Sequence, residues 1–228
     1  MLDLRPGYGL ADLAIAFDEG VLSAAFPVAA EQQTQPPATE PAPARIVLDA
    51  GHGGTEKGAM AGDLPEKVIN LSVTNQVGAL LSAMGYEVLY TRLDDETVSL
   101  QDRAAFANDH NADLFVCIHS NSFPSNPEIS GVETYYLPSQ SNPNSPGKLL
   151  ASHIQTSVVA ATGAVDRSIR PGNYYVLKHT AMPAVLVEMG YMTNEQELAL
   201  LLDSDYQARL AGGIAAGIVK YLQEGQLG

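Results

Sequence analysis

The sequence predicts an α/β protein whose sheet is covered by helices on both faces. Three observations predict it. From residue 45 onward, short apolar runs of strand length alternate with segments of helical period. Three of the runs, 46–48, 114–118 and 184–187, are apolar throughout, as suits strands of a sheet covered on both faces. No internal repeat of fixed period competes with that alternation.

The elements follow in order. Residues 46–48 form a short buried-strand run that ends in the glycine-rich turn Asp49-Ala50-Gly51-His52-Gly53-Gly54. Residues 66–84 read as a helix, because Ile69, Val73, Val77, Leu80, Leu81 and Met84 recur mostly at spacings of three and four. Pro65 stands just ahead as a starting residue, and Gly85 ends the segment. Residues 87–91 are the next strand. Residues 99–111 are a second helix, with Ser99 as N-cap and Gln101 and Asp102 in its first turn. Residues 114–118 and 132–137 are strands, the latter favoured by Tyr135 and Tyr136. Two Pro/Ser/Asn stretches, 121–130 and 138–147, read as loops. Residues 148–162 are helical, 184–189 form a strand after Pro183, and 208–222 close the chain as a helix carrying Leu210, Ile214, Ile218 and Leu222 every fourth residue.

Ahead of this pattern lies a different composition. Residues 31–44 (EQQTQPPATEPAPA) have no hydrophobic period and read as a linker. Residues 1–30 read as the stub of an upstream region. The expected division is therefore 1–44, stub and linker, and 45–228, the folded domain. A linker leaves room for an upstream targeting domain. No secretory signal pattern follows Met1, since Asp12, Asp18 and Glu19 interrupt the apolar stretch.

Composition excludes several classes. With 12 Lys+Arg against 26 Asp+Glu the formal charge is −14, and no basic run is present, which argues against nucleic acid and anionic lipid as partners. No apolar run reaches the ~20 residues that span a membrane. The single cysteine, Cys117, excludes a disulfide framework and reads as a small core residue in the run 114–118.

In α/β sheets, ligands collect at strand ends. Three apolar runs lead into a metal-ligating or acid–base residue: 46–48 into the turn holding His52, 114–118 into His119, and 184–187 into Glu188. Glu66 opens the first long helix. His52, Glu66 and His119 would make a two-histidine, one-carboxylate set of the kind zinc takes in catalytic sites. Glu188 could then move a proton between an activated water and a leaving amine. Each residue also has an ordinary alternative. A histidine at a strand end can be hydrogen-bonded structure, and Glu66 can simply favour the helix dipole. Glu188 is harder to dismiss, because a carboxylate closing an apolar strand is costly unless paired or used.

The segments IVLDAGHGG (46–54), PEKVINL (65–71), GYEVLYTR (85–92), ADLFVCIHSN (112–121), GVETYYL (131–137) and MPAVLVEMGYMTN (182–194) resemble, in that order, the zinc-dependent N-acetylmuramoyl-L-alanine amidases of the cell-separation and sporulation type. The resemblance covers about residues 45–223. It implies a twisted, mostly parallel mixed sheet of about six strands flanked by helices. It implies one zinc ion held by His52, Glu66 and His119, with Glu188 as acid/base. It implies hydrolysis of the amide between N-acetylmuramic acid and the L-alanine of the peptidoglycan stem, in cell wall remodelling or cell separation. Peptidoglycan as the partner places the enzyme in the periplasm or cell wall, with an export signal outside this stretch, and a monomer is expected.

The sequence departs from the family after GHGG, where Thr55-Glu56-Lys57-Gly58 replaces the common Asp-x-Gly. Residues 60–64 are also looser. The short loops 121–130 and 138–147 leave no space for the helical plug some members carry, so a domain active without an activator is expected. Asn121, Arg170 and Lys178 are candidate substrate contacts, with Arg167 beside them in a chain poor in cations. Arg103 and Asn108 read as structural support, and Glu133 as a hydrogen-bonding rather than ligating residue. His110, His153 and His179 are expected at the surface. Three rivals remain open on residues alone: a zinc carboxypeptidase-like hydrolase, a decayed amidase that only binds, and a structural protein.

Overall fold

A computed structural model describes residues 14–18, 21–25, 42–139, 141–142 and 144–225. The chain divides into two compact units, Met1–Ala42 and Pro43–Gly228. In the first, strands β1 (Ala14–Asp18) and β2 (Val21–Ala25) pair antiparallel. The linker reading at 31–44 lies, up to residue 41, outside the described residues.

The second unit is built on β3 (Arg45–Ala50), the two-residue strands β4 (Met60–Ala61) and β5 (Leu64–Pro65), then β6 (Glu87–Tyr90), β7 (Leu114–Asn121), β8 (Val132–Tyr136), β9 (Asp166–Pro171) and β10 (Ala184–Tyr191). Its helices are α1 (Glu66–Ala83), α2 (Leu100–Asp109), α3 (Pro146–Thr162), α4 (Tyr175–His179), α5 (Glu195–Leu202) and α6 (Ser204–Gly225). Six strands form one sheet in the order β6-β3-β7-β10-β8-β9, parallel except that β8 runs against β10. Strands β4 and β5 make a separate small hairpin over the stretch after the glycine turn. The expected mostly parallel, six-stranded sheet is what the chain forms.

Side-chain alternation along the central strands splits the core in two. One face carries Ile46, Leu48, Leu114, Val116, Val185 and Val187 against α1, α3 and α6. The other carries Val47, Phe115, Cys117 and Leu186 against α2 and α4. Helices α3 and α6 lie backbone to backbone. A Cβ on Gly217 would sit 2.4 Å from the Ile154 Cα, and one on Gly213 2.7 Å from the Val158 Cα, so the glycines set that spacing.

Several sequence expectations need correction. Leu80 and Met84, counted in the helical period of α1, are exposed, while Leu81 in the same turn is fully buried, so the period includes positions off the buried face. The strand at 184–189 continues to Tyr191, and the final helix begins at Ser204 rather than 208. Strand β9 and helices α4 and α5 were not foreseen. His110 and His179 are exposed, whereas His153 is half-buried and pairs with Glu224 at 3.1 Å. The loops 121–130 and 138–147 carry no helix among their described residues until α3 opens at Pro146.

Candidate active site

The carboxyl ends of β3, β7 and β10 meet the start of α1 at one end of the sheet. Parallel β7 and β10 set His119 beside Glu188. The turn after β3 brings His52 over them, and α1 delivers Glu66 as its first residue. His52, Glu66 and His119 thereby place one ligand atom each within 4.8 Å of one another.

Glu66 is the keystone. It is 4% exposed. Its Oε2 lies 3.2 Å from His52 Nε2 and its Oε1 2.9 Å from His119 Nδ1. Three further donors fix its plane: Ala59 N to Oε2 at 2.9 Å, Asn70 Nδ2 to Oε1 at 2.9 Å, and Ser120 N to Oε1 at 3.1 Å. Burial alone would raise its pKa. The bonds from His119, His52 and Asn70 outweigh burial and hold the carboxyl well below the usual carboxylate range. For His119, burial acts against the charged ring, but the neighbouring Glu66 and Glu188 carboxyls raise its pKa overall. Two imidazoles and an ionised carboxylate, close together and oriented by other groups, match the donor chemistry of a catalytic zinc site.

Missing side chains make the room. A Cβ on Gly51 would overlap the His119 ring at 2.3 Å. One on Gly58, whose φ is +70°, would lie 2.5 Å from both Glu66 Oε2 and His52 Cδ2.

His52 itself has φ +60°, the left-handed region that non-glycine residues seldom occupy. Two buried arginines hold its turn from beneath. Arg103 donates through Nη2 to His52 O at 2.7 Å and through Nη1 to Ala50 O at 2.8 Å. Arg92 donates through Nε to Ala50 O at 2.8 Å and through Nη2 to Gly51 O at 3.0 Å. Fully buried Asp49 is the counter-charge. It accepts from Arg103 at 2.5 Å, from the Cys117 thiol at 2.9 Å and from the Thr91 hydroxyl. Burial, then the Asp49 charge, pushes the Cys117 thiol well up, so it stays protonated.

Glu188 differs from its neighbours. It is 9% exposed, and its Oε2 is buried without a hydrogen-bond partner. Burial raises its pKa, His119 opposes, and Glu66 and Glu133 add to the rise, leaving the carboxyl at about 7. A carboxyl that takes up and gives off its proton near neutrality suits general acid–base work.

These residues line a cleft of about 610 Å³ whose wall includes Glu56, Leu100, Asn121, Ser122, Tyr174 and Tyr175. Of the sequence-predicted contacts, Asn121 lies on that wall. Lys178 is exposed on the last turn of α4, outside the lining. Arg170 lies beyond the wall on β9, against Glu133. Asn108 ties α2 to the chain after α4, donating to His179 O and accepting from Ala181 N, both at 2.8 Å. Sequence reasoning missed Arg92, Asp49, Asn70 and the Tyr174–Tyr175 wall. For Arg92 a signal existed: a charged residue closing an apolar strand, like Glu188.

A family model described as N-acetylmuramoyl-L-alanine amidase matches residues 46–220. The chain is 38% identical over 188 residues to the uncharacterised protein YqiI of Bacillus subtilis (strain 168), spanning 82% of this chain and 89% of that one. It is 37% identical over 176 residues to the N-acetylmuramoyl-L-alanine amidase LytC of the same strain, spanning 77% of this chain but only 35% of LytC. The crystal structure of an N-acetylmuramoyl-L-alanine amidase from Clostridium difficile 630 superposes with a TM-score of 0.77 at 33% identity, covering 80% of this chain and 98% of that one.

Proposed function

This chain belongs to the N-acetylmuramoyl-L-alanine amidase family, and from that membership we propose that it hydrolyses peptidoglycan at the amide joining N-acetylmuramic acid to the L-alanine of the stem peptide. The observation that carries the reading is the pairing of a convergent His52–Glu66–His119 donor set with a buried carboxyl of neutral pKa, Glu188, on the adjacent strand.

Zinc dependence is a general trait of the family, and His52, Glu66 and His119 would hold one ion, which when bound polarises the amide carbonyl and acidifies a water. The chain's own groups do the rest. Glu188 takes the proton of the attacking water and passes it to the departing alanine nitrogen. Asp49, Arg92 and Arg103 keep the His52 turn in its left-handed conformation, and Asn70 and Ser120 keep Glu66 aimed. Asn121, on the cleft wall, contacts the substrate backbone, and Lys178 meets a more distant part of the stem. The catalytic domain is residues 45–228, preceded by a stub and linker. It acts as a monomer outside the cytoplasmic membrane, in the periplasm or the wall, in wall remodelling or cell separation. The short loops beside the site support activity without an activator.

The test is digestion of purified peptidoglycan by the chain alone, with and without a chelator and beside Glu188→Ala, with fragments identified by mass. Free stem peptides bearing an N-terminal alanine, lost on chelation and in the variant, are expected. Intact peptidoglycan would overturn the assignment, cleavage at another bond would overturn its regiochemistry, and digestion only after a partner is added would overturn autonomy.

A further inference from the structure

One cluster beside the site is not used by the chemistry above. Glu133 on β8 is the direct cross-strand partner of Glu188 on β10, so the two side chains rise from the same face of the sheet. Glu133 is 2% exposed; it accepts three hydrogen bonds and has a second arginine in ion-pair contact. Tyr191 Oη at 2.7 Å and Arg167 Nε at 2.5 Å approach its Oε1. Tyr135 Oη at 2.5 Å and Arg170 Nε at 3.1 Å approach its Oε2.

One carboxylate needs one counter-cation, and here it has two. The two guanidinium groups are not equivalent. Arg167 also stacks over the Tyr191 ring, 5.6 Å from its centroid, and its side chain is 29% exposed. Arg170 touches Glu133 only through Nε, and its side chain is 44% exposed. The forked Nη1–Nη2 edge of Arg170, the edge that binds a carboxylate bidentately, has no hydrogen-bond partner among the described residues. In a chain carrying −14, a buried glutamate that gathers one cation more than it neutralises is an unusual local arrangement.

We propose that Arg170, held in place by Glu133 and backed by Arg167, is a subsite for the carboxylate on the second residue of the stem peptide. This deepens the amidase reading and rests on it. The distances agree. Arg170, on the strand next to β8, pairs with Tyr135, two residues along from the Glu133 that faces Glu188, so two strand spacings across and two residues along put it about 12 Å from Glu188. Two extended residues reach about 7 Å, and the arginine side chain covers the remainder. Tyr174 bridges the gap. It lines the cleft and meets the Tyr135 ring edge-on at a centroid distance of 5.1 Å, giving the intervening peptide a wall to lie along. The amide counterpart of that carboxylate would lose the charge-assisted bidentate pair. The enzyme therefore reads the amidation state of the stem peptide.

The experiment uses two dipeptides, L-alanyl-D-isoglutamate and L-alanyl-D-isoglutamine, titrated into the zinc-loaded chain carrying Glu188→Gln and followed by isothermal calorimetry. The carboxylate form is expected to bind about 10-fold tighter, the scale of a charge-assisted bond. Adding Arg170→Gln should bring the ratio to about one, and Arg170→Lys should restore part of it. On the otherwise native enzyme, the same preference should appear in KM for muropeptides, and Arg170→Gln should abolish it. Equal binding of the two dipeptides by the parent, or an equal loss for both in Arg170→Gln, would overturn the subsite. Discrimination in binding without cleavage of any muropeptide would retain the subsite and overturn the amidase reading instead.

Discussion

Replacing Glu188 with Gln should make the metal-free protein more stable at alkaline pH while removing its activity. The side chain keeps its volume and loses only its charge. In the fold the Glu188 carboxyl sits at about 7 against an ordinary 4.5, a rise of roughly 2.5 units, or about 3 kcal/mol at 1.36 kcal/mol per unit. A carboxyl raised on folding contributes no penalty below the unfolded value, and the fold loses stability as pH climbs from 4.5 through 7. Urea denaturation of chelated protein at pH 5 and pH 8 reads this directly. Wild type should lose up to about 3 kcal/mol more than Glu188→Gln between the two values, since every other titrating group is common to both. Turnover of the zinc-loaded variant should fall by about 10²–10⁴. Identical pH dependence in the two proteins, or a variant less stable than wild type at pH 8, would refute the argument that this carboxyl is buried at a cost.

Three further outcomes follow from named contacts. Gly58→Ala introduces a Cβ 2.5 Å from Glu66 Oε2 and His52 Cδ2 at a positive φ, so zinc affinity in a chromophoric chelator competition should drop at least about 10-fold; unchanged affinity would mean the loop gives way. Arg103→Ala strips the bonds to Ala50 O and His52 O and leaves buried Asp49 without its cation, so it should cost about 3–5 kcal/mol in denaturant unfolding, while Arg103→Lys should keep the charge but still weaken zinc binding. Cys117, 1% exposed and held protonated against Asp49, should not react with a thiol reagent in the native state and should react fully in urea; labelling of native protein would place the thiol elsewhere.

What the sequence revealed and what it hid have physical causes. His52, His119 and Glu188 were legible because each ends an apolar run, where a polar residue stands out against the pattern before it. Glu66 was legible from its place ahead of a periodic helix. Strand β9 was not, because Asp166-Arg167-Ser168-Ile169-Arg170-Pro171 has neither alternation nor apolar content. It is a strand only because β8 offers an open edge, and it enters with Ser168 at φ +68° and a register shift opposite. Helix α4, five residues long, is too short to show a period. Helix α5 did carry a signal, since Asn194 caps it by accepting from the Gln196 and Glu197 amides. Glu197 then turns away from the usual reciprocal cap to bind Gly131 N and Tyr191 N at 2.7 Å each, a tertiary use that local pattern cannot display. The Asp49–Arg92–Arg103 clamp was hidden for the same reason: its members are 43 and 11 positions apart along the chain and meet only because β3 lies between β6 and β7.

The proposal of Glu188 as the base rests on accounting for every buried carboxylate near the cleft. Asp49, Glu66, Glu133 and Glu188 are all buried, and a buried carboxylate without compensation is expensive. Three are compensated. Asp49 has the Arg103 guanidinium and two smaller donors. Glu66 has two imidazoles and three amide donors. Glu133 has two arginines and two phenols. Glu66 and Glu133 are held below the ordinary carboxylate range by their partners, and neither takes up a proton near neutrality without breaking those bonds. Glu188 alone keeps a buried oxygen with no donor, and its two protonation states lie close in energy at neutral pH. A proton-transfer group needs that balance, and two of the compensated carboxylates maintain it: Glu66 and Glu133 raise Glu188 by their charge, while His119, itself held by Glu66, lowers it. Removing either fixed charge should therefore move the working pH of Glu188 downward without touching the base itself, which makes Glu133→Gln, followed by the acid limb of the pH–rate profile, a measure of how much of the activity at neutral pH is set from the neighbouring strand.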